Sequence, residues 1–140
     1  MNYLTLSSLL KCSKAYNHSK IRIEDLNDTE CLICSYIYSN ENCSQDAISI
    51  SLRIDKTTIG KSIDNLERKN CVIRTKDKED KRINRISLTD IGRSKTKRLI
   101  DLHDSWLKEV FSILSLEEKK QFESYCTRLL IKAEELIEDK

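Results

Sequence analysis

The side chains best suited to chemistry in this 140-residue chain are cationic and hydroxylic, and they crowd into its middle. Arg53, Lys56, Thr57, Thr58, Lys61 and Ser62 fall in one short run. Lys76, Lys78, Lys81 and Arg82 surround a second, DKEDKR. Lys and Arg neutralise phosphates, and Ser and Thr hydroxyls meet phosphates or base edges. A polyanion is the partner such a set would hold. Between Arg53 and Arg98 fifteen Lys/Arg face seven Asp/Glu, a local charge of +8. The segments before and after carry −2 and −4, so the whole chain is only +2. A basic middle between acidic ends localises the polyanion to one module. An ordinary solvated helix surface is the competing reading, and the coincidence of the basic block with a charged hairpin weighs against it.

Those residues need a scaffold, and the stretch Asp55–Gly92 supplies one. Asp55 can cap a helix by accepting from an early backbone N–H. Ile59, Ile63 and Leu66 recur at i, i+4 and i+7 and so share a face. Lys56, Thr57, Gly60, Lys61 and Asp64 fall on the opposite side. Arg68 and Lys69 close the helix at the negative end of its dipole, and Asn70 suits the left-handed residue that follows. CVIRTK and INRISL are β-rich runs on either side of the charged DKEDKR turn, which reads as a hairpin. Upstream, Ser44 caps a short helix, SQDAISISL, with Ala47, Ile48 and Leu52 inward. Arg53-Ile54 turns into the next helix, making a helix-turn-helix.

Three linked blocks carry a resemblance to the MarR (multiple antibiotic resistance regulator) family. They are Leu66-Glu67-Arg68-Lys69-Asn70-Cys71-Val72-Ile73-Arg74, then Asp77-Lys78-Glu79-Asp80-Lys81-Arg82, then Leu88-Thr89-Asp90-Ile91-Gly92. The family shows L-E-x-x-G-L-V-x-R, D-P-x-D-x-R and L-T-x-x-G at these places. The resemblance implies a winged helix-turn-helix in which a recognition helix enters the major groove. It implies that Arg82 enters a minor groove and that Asp80 braces it. The family commonly has glycine where Arg53 stands, and often a small hydroxyl residue where Gly60 stands. It also implies dimerisation through the terminal helices.

The remaining chain is helical in pattern. Proline is absent and glycine occurs twice, so sharp turns are few. A first helix spans 3–17 with a loose stripe of Tyr3, Leu6, Leu9 and Leu10. Ile21, Ile23 and Leu26 anchor the link after it. Asn27-x-x-Glu30 is a capping box for a helix over 28–39. Thr89 caps a helix over 90–113, and Gly92 in its first turn permits close backbone approach. Ser115-x-x-Glu118 caps the last helix, whose stripe is Phe122, Tyr125, Leu129, Ala133 and Leu136. The stripes of the terminal helices need a second copy to cover them. No apolar run approaches membrane length and no signal peptide is seen, so the expected location is the cytoplasm.

Six cysteines in a reducing compartment read as free thiols. Cys71 and Cys126 sit on apolar runs and read as core residues. Cys31-x-x-Cys34 lies within an apolar helix, where packing outweighs chemistry. Cys12, Cys31 and Cys34 are the candidates for a redox or metal sensor on the same scaffold. No Gly-rich phosphate loop, H-E-x-x-H or G-x-S-x-G is present, and the sequence suggests no carboxylate or nucleophile to work with His18 or His103. The sequence therefore implies neither an enzyme nor a cofactor nor a metal.

The expected fold is mainly α with a small β-hairpin wing, a single domain over 1–140. Residues 27–98 are the DNA-binding region, and 1–26 with 99–140 the helical dimerisation region. The expected function is a homodimeric transcription regulator that reads a pseudo-palindromic duplex and is released by a small-molecule effector. The alternative of a different class is an interaction module whose basic face binds an acidic protein or RNA.

Overall fold

The structure, a computed structural model, describes residues 3–21 and 25–138. Ile23 lies outside them, as do the side chains of Tyr3 and Ile21. Six helices and three short strands follow in the order α1 (Tyr3–Ile21), α2 (Asp28–Ser39), β1 (Cys43–Ser44), α3 (Gln45–Leu52), α4 (Lys56–Arg68), β2 (Val72–Lys76), β3 (Asn84–Leu88), α5 (Asp90–Val110) and α6 (Leu116–Glu138). The architecture is mainly helical with a three-stranded antiparallel sheet, ordered β1-β3-β2.

Residues up to His103 form one compact unit. Its core gathers Leu26, Ile33 and Ile37 with Ile48 of α3, the α4 face Ile59, Ile63 and Leu66, and Val72, Ile86 and Leu88 of the sheet. The period of 3.6 on the helices and of 2 on β3 brings these apolar positions to one side of each element. Val72 pairs with Leu88 and Arg74 with Ile86 across the hairpin. Cys43 and Ser44 pair with Ile86 and Arg85, so a two-residue strand follows the SNEN turn. That strand is stabilised by a partner more than 40 positions away.

The caps are built as expected. Asn27 accepts from the Glu30 N–H at 2.9 Å, and the Glu30 carboxylate accepts from the Asn27 N–H at 3.1 Å. Asn70 takes a left-handed conformation after α4 (φ 55°). Thr89 accepts from the Gly92 N–H at 2.9 Å and donates its hydroxyl to the Asn70 carbonyl. A Cβ on Gly92 would run into the Cys71 carbonyl, so only glycine lets α5 start this close to the end of α4. Among the apolar residues of α1, Leu4, Leu6, Leu9, Leu10 and Tyr16 are exposed. This helix runs to Ile21, four residues beyond the expected end.

Residues from Asp104 form the second unit. Here α5 ends at Val110 and a 3-10 turn, Phe111–Ile113, replaces its last turn. Ser115 and Glu118 then form the expected reciprocal cap of α6, at 2.7 and 3.2 Å. Phe111 and Phe122 meet edge to face at 5.2 Å. Leu129, Leu130, Ile131, Leu136 and Ile137 are exposed along α6. Cys126, expected in the core, is exposed as well. Phe122, Tyr125 and Leu129 of the stripe it shares are exposed too.

Candidate nucleic-acid interface

The turn between α3 and α4 is built from side chain–backbone bonds. The Ser44 hydroxyl accepts from the Ala47 N–H at 3.0 Å and opens α3. Arg53 ends it in the left-handed region, φ 54° and ψ 41°, with its N–H donating to the Ile50 carbonyl. Glycine would take that conformation without strain, so the family's preference has a backbone cause. Ser49, largely buried, donates to the Ile54 carbonyl at 2.6 Å and ties the turn to α3. Arg53 itself is exposed at the turn.

Asp55 then caps α4. It accepts from the Thr58 N–H at 2.8 Å and from the Thr58 hydroxyl at 2.6 Å. The hydroxyl bond and then the N–H bond favour its charged form, holding the carboxyl below the usual range. Thr58, a candidate contact, thus has its hydroxyl proton committed to the cap. Lys56, Thr57 and Lys61 are exposed on the outer side of α4. Lys56 lies 3.2 Å from Asp46 at the start of α3, both well exposed, a pairing worth little in water.

Ser62 is not available. It is buried, 7% exposed, because positions 59, 62 and 66 lie along one side of the helix. The candidate contacts on α4 reduce to Lys56, Thr57, Thr58 and Lys61. On the same side of the helix Asp64 pairs at 2.7 Å with Arg74 of the hairpin, which also reaches Glu67 at 3.7 Å.

The DKEDKR turn is ordered by its own carboxylates. Asp77 accepts from the Glu79 and Asp80 N–H groups and from Arg85 Nε at 3.0 Å. The Glu79 N–H comes first, with Arg85 next, in holding the Asp77 carboxyl down. The Asp77 N–H donates to the Ile83 carbonyl, and the Ile83 N–H to the Asp80 carbonyl. At the tip, Arg82 places Nε and Nη2 at 3.0 Å from the two oxygens of Asp80. Each member of that fork stabilises the charge of the other: the Asp80 carboxyl is lowered and the Arg82 guanidinium raised. The Arg82 side chain is nevertheless 90% exposed. Lys76, Lys78 and Lys81 are exposed around it. Asp80 therefore stands where a brace for Arg82 was expected.

Pattern reading missed one interaction that fixes α4. Glu30, 1% exposed, receives Lys69 Nζ at 2.8 Å, and the same Nζ donates to the Asp25 carbonyl at 2.6 Å. The start of α2 is thereby tied to the end of α4. Arg85, paired with Asp77, was missed as well.

The cysteine candidates separate. Burial pushes the Cys31 and Cys34 thiols up to about 12, Cys31 with help from Asp28. Burial of this kind favours the neutral thiol, a poor nucleophile, and so argues against Cys31-x-x-Cys34 as a redox pair. Cys12 is exposed on α1. Among the described residues no group of three or more His, Cys, Asp or Glu could hold a metal ion.

A two-helix turn whose second helix is followed by an antiparallel hairpin with an arginine at its tip is a winged helix-turn-helix. The MarR family model matches residues 26–83, from the approach to α2 to the end of the wing turn. The chain thus resembles the MarR family over its helix-turn-helix and wing, residues 26–83. It is 36% identical over 87 residues to the HTH-type transcriptional regulator PapX of Escherichia coli, covering 62% of this chain and 53% of PapX. It is 31% identical over 107 residues to PrsX of Escherichia coli, covering 75% of this chain and 64% of PrsX. The chain thus spans about half to two thirds of the length of these curated relatives. The fold matches that of S. aureus MepR in a complex with DNA, with TM-score 0.81 and 24% identity over 94% of this chain and 98% of MepR. These relatives are regulators, not enzymes.

Proposed function

We propose that this protein is a cytoplasmic, sequence-specific, double-stranded-DNA-binding transcription regulator, acting as a homodimeric repressor released by a small-molecule effector. The observation that carries the reading is the Asp80–Arg82 fork. A guanidinium held by a bidentate carboxylate, yet almost wholly exposed, is preorganised for a narrow, negative groove. Lys56, Thr57 and Lys61 face outward on the helix before it, suited to a major groove. The DNA complex of the similar MepR supports the same assignment.

Dimerisation is supported by exposed apolar residues on both terminal helices, which a second copy would cover. Two copies then place two α4 helices in half-sites about one helical turn apart. No helix among the described residues is long and apolar enough to cross a membrane. Of the three candidate sensor cysteines Cys12 is the exposed one, and the RNA or acidic-protein alternative rests on the basic face alone.

Selection of bound duplexes from a random pool tests the proposal. A two-fold symmetric consensus is expected, and flat enrichment would overturn it. On the selected core with varied flanks, Arg82→Ala should lose affinity most where the flanks are A·T-rich. Equal binding by parent and variant on every duplex would remove the wing from the interface.

A further inference from the structure

We propose that Gln45, at the start of α3, is a specificity-determining residue that reaches the base edges through a notch left by Gly60 on α4. The inference rests on the DNA-binding reading above. Gly60 lies one turn from Lys56, Thr57 and Asp64, and it follows Ile59, which is buried. It is therefore at the edge of the outward face. Lacking a side chain, it leaves the helix surface open there.

One atom fills part of that opening. A Cβ on Gly60 would have Gln45 Nε2 at 3.4 Å and nothing else beyond the helix within contact range. The amide thus sits over the glycine, carried there from the neighbouring helix. The Asp46–Lys56 contact at 3.2 Å shows the start of α3 lying alongside the first turn of α4. The other end of the amide, Oε1, is enclosed with no hydrogen-bond partner. An enclosed polar atom without a partner is costly and calls for an explanation. A group that docks its amide against the missing side chain of a DNA-facing helix is placed for an external partner.

The chemistry of the partner follows from the atom presented. Nε2 donates, so the matching base edge carries an acceptor. In the major groove, guanine offers N7 and O6. A larger side chain at position 60 would itself occupy the space between the helix and the base. In this chain the contact passes instead to a residue outside the recognition helix. Which residue reads the base is therefore set by a glycine that makes no contact of its own.

The test uses the full chain, parent and three variants, Gly60→Ala, Gln45→Ala and the double substitution. Each is carried through selection from a random duplex pool and titration on the selected site, with a melting curve beside it. Alanine at position 60 is in ordinary contact with the amide and improves helix propensity, so Gly60→Ala should melt about 3–5 °C higher. Because the amide keeps its place, Gly60→Ala should retain the parental base preference, whereas Gln45→Ala should bind the parental site about five- to ten-fold more weakly, the loss of one hydrogen bond. Gln45→Ala should lose preference at one base pair of each half-site, and the double variant should bind as Gln45→Ala does. A purely structural role for Gln45 would lower affinity evenly across sequences. Such an even loss, or unchanged preference in Gln45→Ala beside a symmetric parental consensus, overturns the inference and leaves the DNA reading standing. Flat enrichment by the parent overturns both.

Discussion

Replacing Lys69 by Met removes a charge from a pair that ties two helices together, while keeping the stem that packs beneath it. Glu30 is 1% exposed and has two partners in the structure, Lys69 Nζ at 2.8 Å and the Asn27 N–H at 3.1 Å. Leaving a buried carboxylate without its cation costs about 3–5 kcal/mol. The remaining Asn27 N–H, and a Lys69 side chain that is 29% exposed so that water can follow the loss, put Lys69→Met at the lower end, about 3 kcal/mol. In a chain of this size that corresponds to a fall of about 10 °C in Tm. Glu30→Gln in the Lys69→Met background removes the stranded charge and keeps an oxygen for the Asn27 N–H. The double variant should recover most of the loss and end within about 1 kcal/mol of the parent. Urea titration by circular dichroism at fixed protein concentration measures both, since assembly would otherwise shift the midpoint. If Lys69→Met is as stable as the parent, or the double variant is as damaged as the single one, the reasoning fails. The pair would then be a surface contact that geometry alone makes conspicuous.

Gly92→Ala should destabilise the chain by about 3 kcal/mol, because the added carbon meets the Cys71 carbonyl and backbone must shift; a thermal melt reads it. Arg53→Gly should raise stability by about 1 kcal/mol by relieving the left-handed turn, and any loss of DNA affinity in the same variant would report a phosphate contact. In thiol labelling at pH 8 followed by mass spectrometry, Cys12 and Cys126 should react in the native protein. Cys31, Cys34 and Cys71 should react only after denaturation, since burial raises all three thiols; fast native labelling at Cys31 would contradict that account.

Features encoded by neighbours in the chain were legible before any coordinates. The capping boxes at Asn27 and Ser115, the Asp55 cap and the Thr89 cap each join residues three positions apart, and the strands on either side of DKEDKR pair across a single turn. The Asp80–Arg82 fork is equally local, but it was the resemblance to the MarR family that implied it. Long-range features were not legible. Glu30 and Lys69 are 39 positions apart and each looks like a helix-end charge. The strand Cys43–Ser44 is too short to show alternation and exists through its pairing with β3. Ser62 looked outward because its type is polar, although its place between Ile59 and Leu66 on the helix already argued for burial. Cys126 was assigned to a core by an apolar stripe that α6 leaves uncovered. Periodicity says that a face is apolar and not what covers it.

The contact between Gly92 and Cys71 has a mechanical consequence. The Thr89 N–H donates to the Cys71 carbonyl and the Thr89 hydroxyl to the Asn70 carbonyl, while the first turn of α5 rests on the backbone of residue 71. Three attachments within a few ångströms leave no rotational slack at this joint. The end of α4 and the beginning of α5 must translate and rotate as one stiff crank. A displacement at the first turn of α5 therefore acts directly on the segment that ends α4, and a hinge engineered there would first have to break these attachments.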